Sequence, residues 1–251
     1  MKRHHHRPGR DKEIIFGVNP VMEALRAGKR KFHRLYVKGG FKPGGPADIL
    51  IEMAREKGVP TVTNTGEELN RLTDSDGHQG VAALVSPYEY EKLDDAIERL
   101  RSKPFPTLIA LDSVQDPRNF GAIIRSAEAF GVDGIIFPQD RASTYTPTAA
   151  KASAGAGERM NLIKVVNLAE TIRKISDEGY HCVALEEDAE ENFDKAPEGP
   201  FVMVFGGEGV GVRPLVKTRC GHVAKIPMKG EIGSLNVSVA AAIALYIASL
   251  R

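Results

Sequence analysis

Several residue types are scarce in this chain, and each scarcity removes a class of protein. Tryptophan is absent, and only two of the 251 residues are cysteines, Cys182 and Cys220. They form no CxxC pair, so we expect neither a disulfide framework nor a metal site. No apolar run reaches the roughly 18 to 20 residues that a membrane helix requires, and the polar N-terminus lacks the apolar segment of a secretory signal. These absences favour a protein of the reducing cytoplasm.

Net charge is small, at +1, but it is distributed unevenly along the chain. Residues 1–38 hold 11 Lys and Arg against 3 Asp and Glu, a surplus of +8, and the remainder of the chain is acidic. A basic front on an acidic body predicts that the front contacts a polyanion. The tail at 1–12, with histidines at 4–6, is equally compatible with a solvated tail.

Short apolar strands alternate with amphipathic helices, which predicts an α/β protein. A small α/β domain is predicted over residues 13–86, with its first helix capped by Asn19. The charged stretch at 87–106, which contains a helix at 93–100, is interpreted as a linker. From residue 107 the βαβ alternation resumes and predicts a mostly parallel sheet. Its strands are predicted at 107–112, 134–137, 162–166, 181–185, 201–205 and 223–226.

The first polar motif follows the predicted strand at 107–112. Asn119 opens the next helix, and Arg125 lies opposite the apolar face of that helix, outside the core. One interpretation is a helix cap and a solvated arginine. The functional alternative notes that α/β sheets bind ligands beyond the carboxyl ends of their strands, where Asn119 lies. Gly121 would then let a ligand approach the backbone.

The second motif is a glycine run at 206–211 that follows the predicted strand at 201–205. The run is not a dinucleotide fingerprint, because Val212 occupies the place of the third glycine and only a short helix follows. A nicotinamide oxidoreductase is therefore a weak alternative. Glu208 lies inside the run, where its carboxylate can accept hydrogen bonds from a ligand or a partner.

The third motif precedes a helix at 236–250 that is apolar nearly all round. Such a helix is expected to be buried or to lie at a subunit interface. Ser234 or Asn236 alone would suffice as the N-cap. Two small polar groups exceed that need, so the motif is a candidate for function as well as for capping.

The three motifs together resemble those of the SpoU (TrmH-like) family of SPOUT RNA ribose 2′-O-methyltransferases. The pattern N-x-G-x-x-x-R-x-A stands at 119–127, Gly-Glu-Gly at 207–209, and Ile-Pro-Met at 226–228 before Ser-Leu-Asn at 234–236. KASAGAGE at 151–158 resembles a further stretch of the family.

The front of the chain adds to this resemblance. GVNPVMEAL at 17–25 and GHQGVAA at 77–83 resemble the small ribosomal-protein-like RNA-binding domain of one branch. That branch is typified by the bacterial enzymes that methylate a guanosine ribose of large-subunit rRNA.

The resemblance implies a fold and an activity. It implies an α/β RNA-binding domain followed by an α/β SPOUT domain over 107–251, with a deep trefoil knot, in a homodimer. The implied reaction transfers a methyl group from S-adenosylmethionine to a ribose 2′-hydroxyl, with a guanosine of 23S rRNA as the favoured target. A tRNA substrate and a catalytically silent RNA-binding module are the alternatives.

The resemblance also implies roles for the motif residues. Because a guanidinium stays protonated in proteins, we expect Arg125 to anchor a phosphate, and the general base is left unassigned. The expected catalytic residues are Asn119, Arg125, Glu208, Ser234 and Asn236. The expected cofactor-binding residues are Gly206, Gly207, Ile226, Met228 and Leu235. The RNA-binding front domain that the resemblance implies is expected to contact RNA through Lys29, Arg30, Lys31 and Arg34.

Overall fold

The computed structural model describes residues 11–41, 44–231 and 233–250. Most of the predicted basic tail, including its histidines, therefore lies outside the described residues. The chain forms two compact units. Unit 1 contains Met1–Glu89 together with the segment Ala154–Arg159, and unit 2 contains Tyr90–Ser153 and Met160–Arg251.

Unit 1 is a four-stranded sheet with helices on both faces. Two helices cover one face around Leu25, Leu35 and Leu50, and one covers the other face with Leu69. The sheet order is β1-β4-β2-β3, with β2 and β3 parallel and the other pairs antiparallel. Its elements are β1 (Glu13–Phe16), α1 (Val18–Ala27), β2 (Phe32–Lys38), α2 (Pro46–Glu56), β3 (Thr61–Asn64), α3 (Gly66–Thr73) and β4 (Val81–Val85).

The start of α1 corrects the prediction that Asn19 caps it. The cap is Gly17, two residues before the predicted cap, and its φ of 97° favours glycine; the helix begins at Val18. The backbone N–H of Val18 donates to Oε1 of Gln79 at 3.2 Å. A side chain distant in sequence therefore accepts the hydrogen bond of the first N–H of the helix, and no local sequence pattern reveals such a partner.

The segment Ala154–Arg159 completes unit 1 from far along the chain. It contains a 3₁₀ turn, Ala156–Glu158, and Tyr88 Oη donates to the carbonyl oxygen of Gly157 at 3.0 Å. The side chain of Glu158 is fully buried, and its Oε2 lies 3.2 Å from Nε of Arg30, which is itself 5% exposed. Much of the motif-like stretch at 151–158 therefore belongs to the packing of the front unit.

Unit 2 is built on a seven-stranded sheet in which every pair of strands is parallel. This confirms the predicted mostly parallel α/β architecture. The strand order is β7-β6-β5-β10-β8-β11-β9. The strands are β5 (Thr107–Asp112), β6 (Gly134–Pro138), β7 (Leu162–Val165), β8 (His181–Leu185), β9 (Glu191–Asn192), β10 (Phe201–Gly206) and β11 (His222–Lys225). The helices are α4 (Leu93–Leu100), α5 (Pro117–Ala129), α6 (Pro147–Ala152), α7 (Leu168–Asp177), α8 (Pro214–Arg219) and α9 (Val237–Ser249).

The core of unit 2 lies along its central strands. Helix α4, which was predicted inside the linker, contributes Ala96, Ile97 and Leu100 to this core. Cys182 and Cys220 are free thiols in the same core. Burial raises the pKa of both thiols to about 12, so they stay protonated and unreactive at neutral pH.

Gly121 serves the packing of two helices. A Cβ at this position of α5 would lie 2.6 Å from the carbonyl oxygen of Ala149 and 2.6 Å from Cβ of Ala152 on α6. The close approach expected at Gly121 is therefore made by α6, which fills the space where a ligand would have to lie.

Helix α9 is apolar but is only partly covered. Ala241, Ala244 and Leu245 are buried, whereas Val239 and Tyr246 are 46% and 54% exposed. Its apolar surface therefore fits a subunit interface better than a fully buried helix. No helix among the described residues is long and apolar enough to cross a membrane.

Candidate active site at the carboxyl ends of the strands

Side chains from all three motifs meet in one hydrogen-bonded cluster. Asn119 Nδ2 donates to Oε1 of Glu208 at 2.8 Å, and Asn236 Nδ2 donates to the same oxygen at 2.7 Å. Asn236 Nδ2 also lies 3.1 Å from Oδ1 of Asn119. Residues up to 117 positions apart in the chain therefore share one site.

The sheet explains this convergence. Strands β5 and β10 are parallel neighbours, so the segments that leave their carboxyl ends start at the same edge. Asn119 lies in the first turn of α5, which follows β5, and Glu208 lies two residues beyond the end of β10. The strand-end argument made from the sequence thus places Asn119 correctly, and the sheet order adds its convergence with Glu208.

Asn236 has two roles at once. Its Oδ1 accepts hydrogen bonds from the backbone N–H of Ser238 at 3.0 Å and from Ser238 Oγ at 2.6 Å, which makes it the N-cap of α9. Its Nδ2 donates to the cluster described above. Capping and function are therefore not alternatives here, because one amide group performs the first with its oxygen and joins the site with its nitrogen.

A cavity of about 620 Å³ opens beside the cluster. Its volume is in the range of small-molecule sites. The third motif supplies one wall, with Ser234 exposed to the cavity together with Asn236. All five residues predicted to bind the cofactor line it: Gly206, Gly207, Ile226, Met228 and Leu235.

The first two glycines of the run are required because their backbone passes very close to other main-chain atoms. A Cβ on Gly206 would lie 1.9 Å from the carbonyl carbon of Gly211, and a Cβ on Gly207 would lie 2.3 Å from the carbonyl oxygen of Ser113. Any side chain at either position would clash with main chain that cannot move aside. The loop can therefore fold back on itself only with glycine at these two positions, and this fold presents Glu208 to the cluster.

Two sequence profiles match the chain. The profile of the SpoU rRNA Methylase family covers residues 106–246, more than half of the chain. The chain belongs to the SpoU rRNA methylase family. A second profile, described as RNA 2′-O ribose methyltransferase substrate binding, covers residues 14–91. As a member of this family with its substrate-binding module, the chain is an RNA ribose methyltransferase.

Individual relatives agree with this membership. An uncharacterized tRNA/rRNA methyltransferase of Mycolicibacterium vanbaalenii is 38% identical over 96% of this chain and 77% of its own length. A protein of Staphylococcus haemolyticus, named as a TrmH family tRNA/rRNA methyltransferase, is 38% identical over 93% of both chains.

Solved structures show the same fold. AviRb, a SpoU methyltransferase from Streptomyces viridochromogenes solved in complex with AdoMet, aligns with a TM-score of 0.79 and 23% identity over 99% of this chain and 93% of its own. An AdoMet-bound rRNA methyltransferase from Sinorhizobium meliloti aligns with a TM-score of 0.78 and 24% identity over 96% of this chain and 88% of its own.

Arg125, the motif arginine of the family, does not join the cluster. It is exposed on α5, does not line the cavity, and makes no hydrogen bond or ion pair with any residue that the structure describes. Within one chain, therefore, four of the five predicted catalytic residues lie in the cluster or the cavity wall, and the arginine lies apart from them.

The four cations predicted to contact RNA have different environments in unit 1. Lys31 and Arg34 are exposed, and Lys29 donates to the carbonyl oxygen of Arg159 at 3.1 Å. Arg30 is buried and ion-paired with Glu158, and its guanidinium lies 5.2 Å from the centre of the Tyr88 ring. The expectation that Arg30 contacts RNA is corrected, because its guanidinium is buried and ion-paired within unit 1.

Sequence reasoning missed two carboxylates beneath the glycine loop. Asp112, the last residue of β5, is fully buried and accepts a hydrogen bond from Nε of Arg213 at 2.7 Å. Glu186, just after β8, accepts one from Nζ of Lys217 at 2.8 Å, and this bond raises the pKa of Lys217. Both acids lie at strand ends, so the strand-end rule that was applied to Asn119 would also have identified them.

Proposed function

We propose that this chain transfers a methyl group from S-adenosylmethionine to a ribose 2′-hydroxyl of RNA, with a guanosine of 23S rRNA as the target. The hydrogen-bonded cluster of Asn119, Glu208 and Asn236 beside a cofactor-sized cavity carries this proposal. The methyl donor supplies an electrophilic methyl group, and the protein has to bind the donor and orient the hydroxyl.

The cavity suits such a donor chemically. Ile226, Met228 and Leu235 offer apolar surface, and the exposed backbone of the glycine loop offers hydrogen-bonding groups. Carboxylates of Glu187 and Asp188 also line the cavity, and negative charge favours a ligand that carries a sulfonium and an ammonium. These residues would hold the donor, with no metal ion involved.

The cluster fits the task of orienting a ribose hydroxyl. Both amide donors in the cluster bond to Oε1 of Glu208, and Oε2 of this exposed side chain makes no hydrogen bond with any described residue. Oε2 can therefore accept a hydrogen bond from the ribose, while Asn119 and Asn236 hold the carboxylate in place. Ser234 completes the wall of the pocket, and the general base stays unassigned.

In this proposal Arg125 acts within a homodimer. It lies on α5, the helix that packs against the partly exposed helix α9, and the ring of Phe130 just beyond α5 lies 6.3 Å from that of Tyr246. We propose that these apolar surfaces pair between two copies, and that Arg125 anchors an RNA phosphate there. A deep trefoil knot within residues 107–251 is part of the same proposal.

Unit 1 is proposed to hold the RNA. The substrate-binding profile over residues 14–91 supports this role, as do the exposed cations Lys31 and Arg34. We propose residues 13–86 as the RNA-binding domain and 107–251 as the methyltransferase domain. Of the predicted connection at 87–106, α4 packs in the core of unit 2 and is proposed as part of the methyltransferase domain. Folded RNA would be recognised through its backbone and shape, in the cytoplasm where bacterial rRNA is made.

A tRNA substrate is the second candidate, because the relatives are named tRNA/rRNA methyltransferases. The rRNA and tRNA substrates are distinguished by an assay in which labelled methyl is transferred from S-adenosylmethionine to unmodified 23S rRNA or to tRNA. Nuclease mapping then locates the labelled nucleotide. A single labelled ribose in 23S rRNA supports the proposal. Label on tRNA keeps the chemistry and rejects the rRNA target, and a wild-type chain that does not bind S-adenosylmethionine rejects the proposed cofactor.

A further inference from the structure

The far end of the glycine loop is held by two carboxylates that do not belong to the family motifs. The backbone N–H of Val212 donates to Oε1 of Glu186 at 2.6 Å, and the next N–H, of Arg213, donates to Oδ2 of Asp112 at 2.8 Å. Strand β10 lies between β5 and β8 in the sheet. The segment that leaves β10 is therefore fastened from both neighbouring strands.

Each carboxylate also accepts, with its second oxygen, a hydrogen bond from a cation at the N-cap of α8 or within α8. Arg213 Nε donates to Oδ1 of Asp112, and Lys217 Nζ donates to Oε2 of Glu186. Both oxygens of each acid are thus engaged, and charge-assisted bonds of this kind are the stronger ones. These bonds hold the two carboxylates in single orientations against the loop.

The two acids differ in what else they touch. Asp112 is fully buried and does not line the cavity, so its bonds belong to the interior. Glu186 is half-buried and lines the cavity. Its backbone N–H donates to the carbonyl oxygen of Ala224 at 2.9 Å, on the strand that leads to Ile226 and the third motif. Glu186 therefore contacts both segments that enclose the cavity.

Glu186 also lies directly against the glycine loop. A Cβ on Gly211 would lie 2.9 Å from its Oε1, so the loop passes close over this carboxylate, and the φ of 65° at Gly211 favours glycine there. Between Gly206 and Gly211 the tip of the loop, including Glu208, is exposed. The position of that tip depends on how its far end is held.

We propose that Glu186 is a positioning residue of the methyl-donor cavity: it fixes the far end of the glycine loop, and thereby sets the cavity wall and Glu208 for binding S-adenosylmethionine. The inference rests on the cofactor proposed above. Glu186 acts through the loop and need not contact the reacting atoms.

Two substitutions of similar size separate the hydrogen bond from the volume of the side chain. Glu186→Gln keeps an oxygen that can accept from Val212, whereas Glu186→Met fills the same space without an acceptor. We expect Glu186→Gln to bind S-adenosylmethionine within about threefold of wild type and Glu186→Met to bind about tenfold or more weakly. Titration calorimetry of the full chain without RNA measures both.

Steady-state kinetics distinguish positioning from loss of folded protein. Glu186→Met should raise the KM for S-adenosylmethionine by the same factor as its Kd and leave the KM for RNA unchanged. A merely destabilised chain would lose active protein, which lowers kcat without moving Kd. Glu170→Gln, at an exposed ion pair on α7, is the matched control for removal of a carboxylate.

Equal Kd values for wild type and Glu186→Met would overturn the inference. If Glu186→Met does not fold, Lys217→Met leaves the carboxylate in place but frees its second oxygen, and should weaken binding several-fold. Wild-type binding from Lys217→Met would then also overturn it. A wild-type chain that does not bind S-adenosylmethionine would instead reject the proposed function itself, so the two failures are distinguishable.

Discussion

The polar cluster of unit 2 and the cations of unit 1 were both identified from the sequence, and they behave differently in the structure. In unit 2, Asn119, Glu208 and Asn236 meet within hydrogen-bonding distance. In unit 1, four cations that are close in sequence separate, and Arg30 turns into the interior while Lys31 stays exposed.

Topology accounts for the difference. All strands of a parallel sheet deliver their following segments to one edge, so residues just beyond different strands are brought together whatever lies between them. The cations between α1 and β2 have no such constraint, because they lie in an irregular segment whose side chains follow no common direction. A buried acid on a distant segment, here Glu158, can then recruit one of the cations.

The largest expected effect concerns Arg125, the motif residue that lies outside the cluster of its own chain. Arg125→Ala should reduce methyl transfer by at least about 10³-fold, because it removes a fixed charge from the proposed RNA phosphate site. Binding of S-adenosylmethionine should stay within threefold, as measured by calorimetry. Arg118→Ala, another exposed arginine on α5, is the control and should keep most activity. Loss of cofactor binding in Arg125→Ala would contradict the phosphate role.

A smaller loss is expected within the cluster itself. Glu208→Gln can keep Oε1 for Asn119 and Asn236 but replaces the second oxygen by a donor, so the ribose hydroxyl loses its proposed acceptor. Single-turnover transfer should slow by about 10²-fold with the cofactor Kd little changed. A rate within threefold of wild type would show that the second oxygen does not touch the ribose.

The next prediction concerns Arg30, the buried cation of unit 1. Arg30→Ala leaves Glu158 buried without its cation, and should lower the free energy of unfolding by about 3–5 kcal/mol, as measured in urea. Arg30→Ala should lower the free energy of unfolding by less in a Glu158→Gln background. Comparison of the single and double variants is a double-mutant cycle. A loss below about 1 kcal/mol would return Arg30 to the candidates for RNA contact.

The exposed cations should give the smallest effect. Lys31→Ala and Arg34→Ala together should leave the free energy of unfolding unchanged and weaken RNA binding several-fold. The slope of log affinity against log salt should fall by about one for each phosphate contact that is lost. Arg55→Ala, an exposed arginine on α2, should leave that slope unchanged. An unaltered slope in the double variant would remove these residues from the RNA surface.

Much of the fold was predictable because the apolar periodicity of unit 2 is regular. The bounds of β5 and β8 agree with the predicted strands, and Asn119 lies beyond the carboxyl end of β5 as predicted. The capping of α1 by Gln79 and the pairing of Arg30 with Glu158 were not predictable. Each depends on one contact between residues far apart in sequence, which leaves no periodic trace.

The segment Ala154–Arg159 has a consequence for how the protein is made and how it can be recombined. A ribosome synthesises the first 89 residues long before it reaches Glu158, so Arg30 can pair with Glu13 early but gains Glu158 only after residues 90–153 of unit 2 have been made. The front unit is therefore expected to reach its final stability late in translation. For the same reason, exchange of front domains between relatives requires two pieces of sequence, and a single junction near residue 89 would leave the transplanted unit without its last six residues.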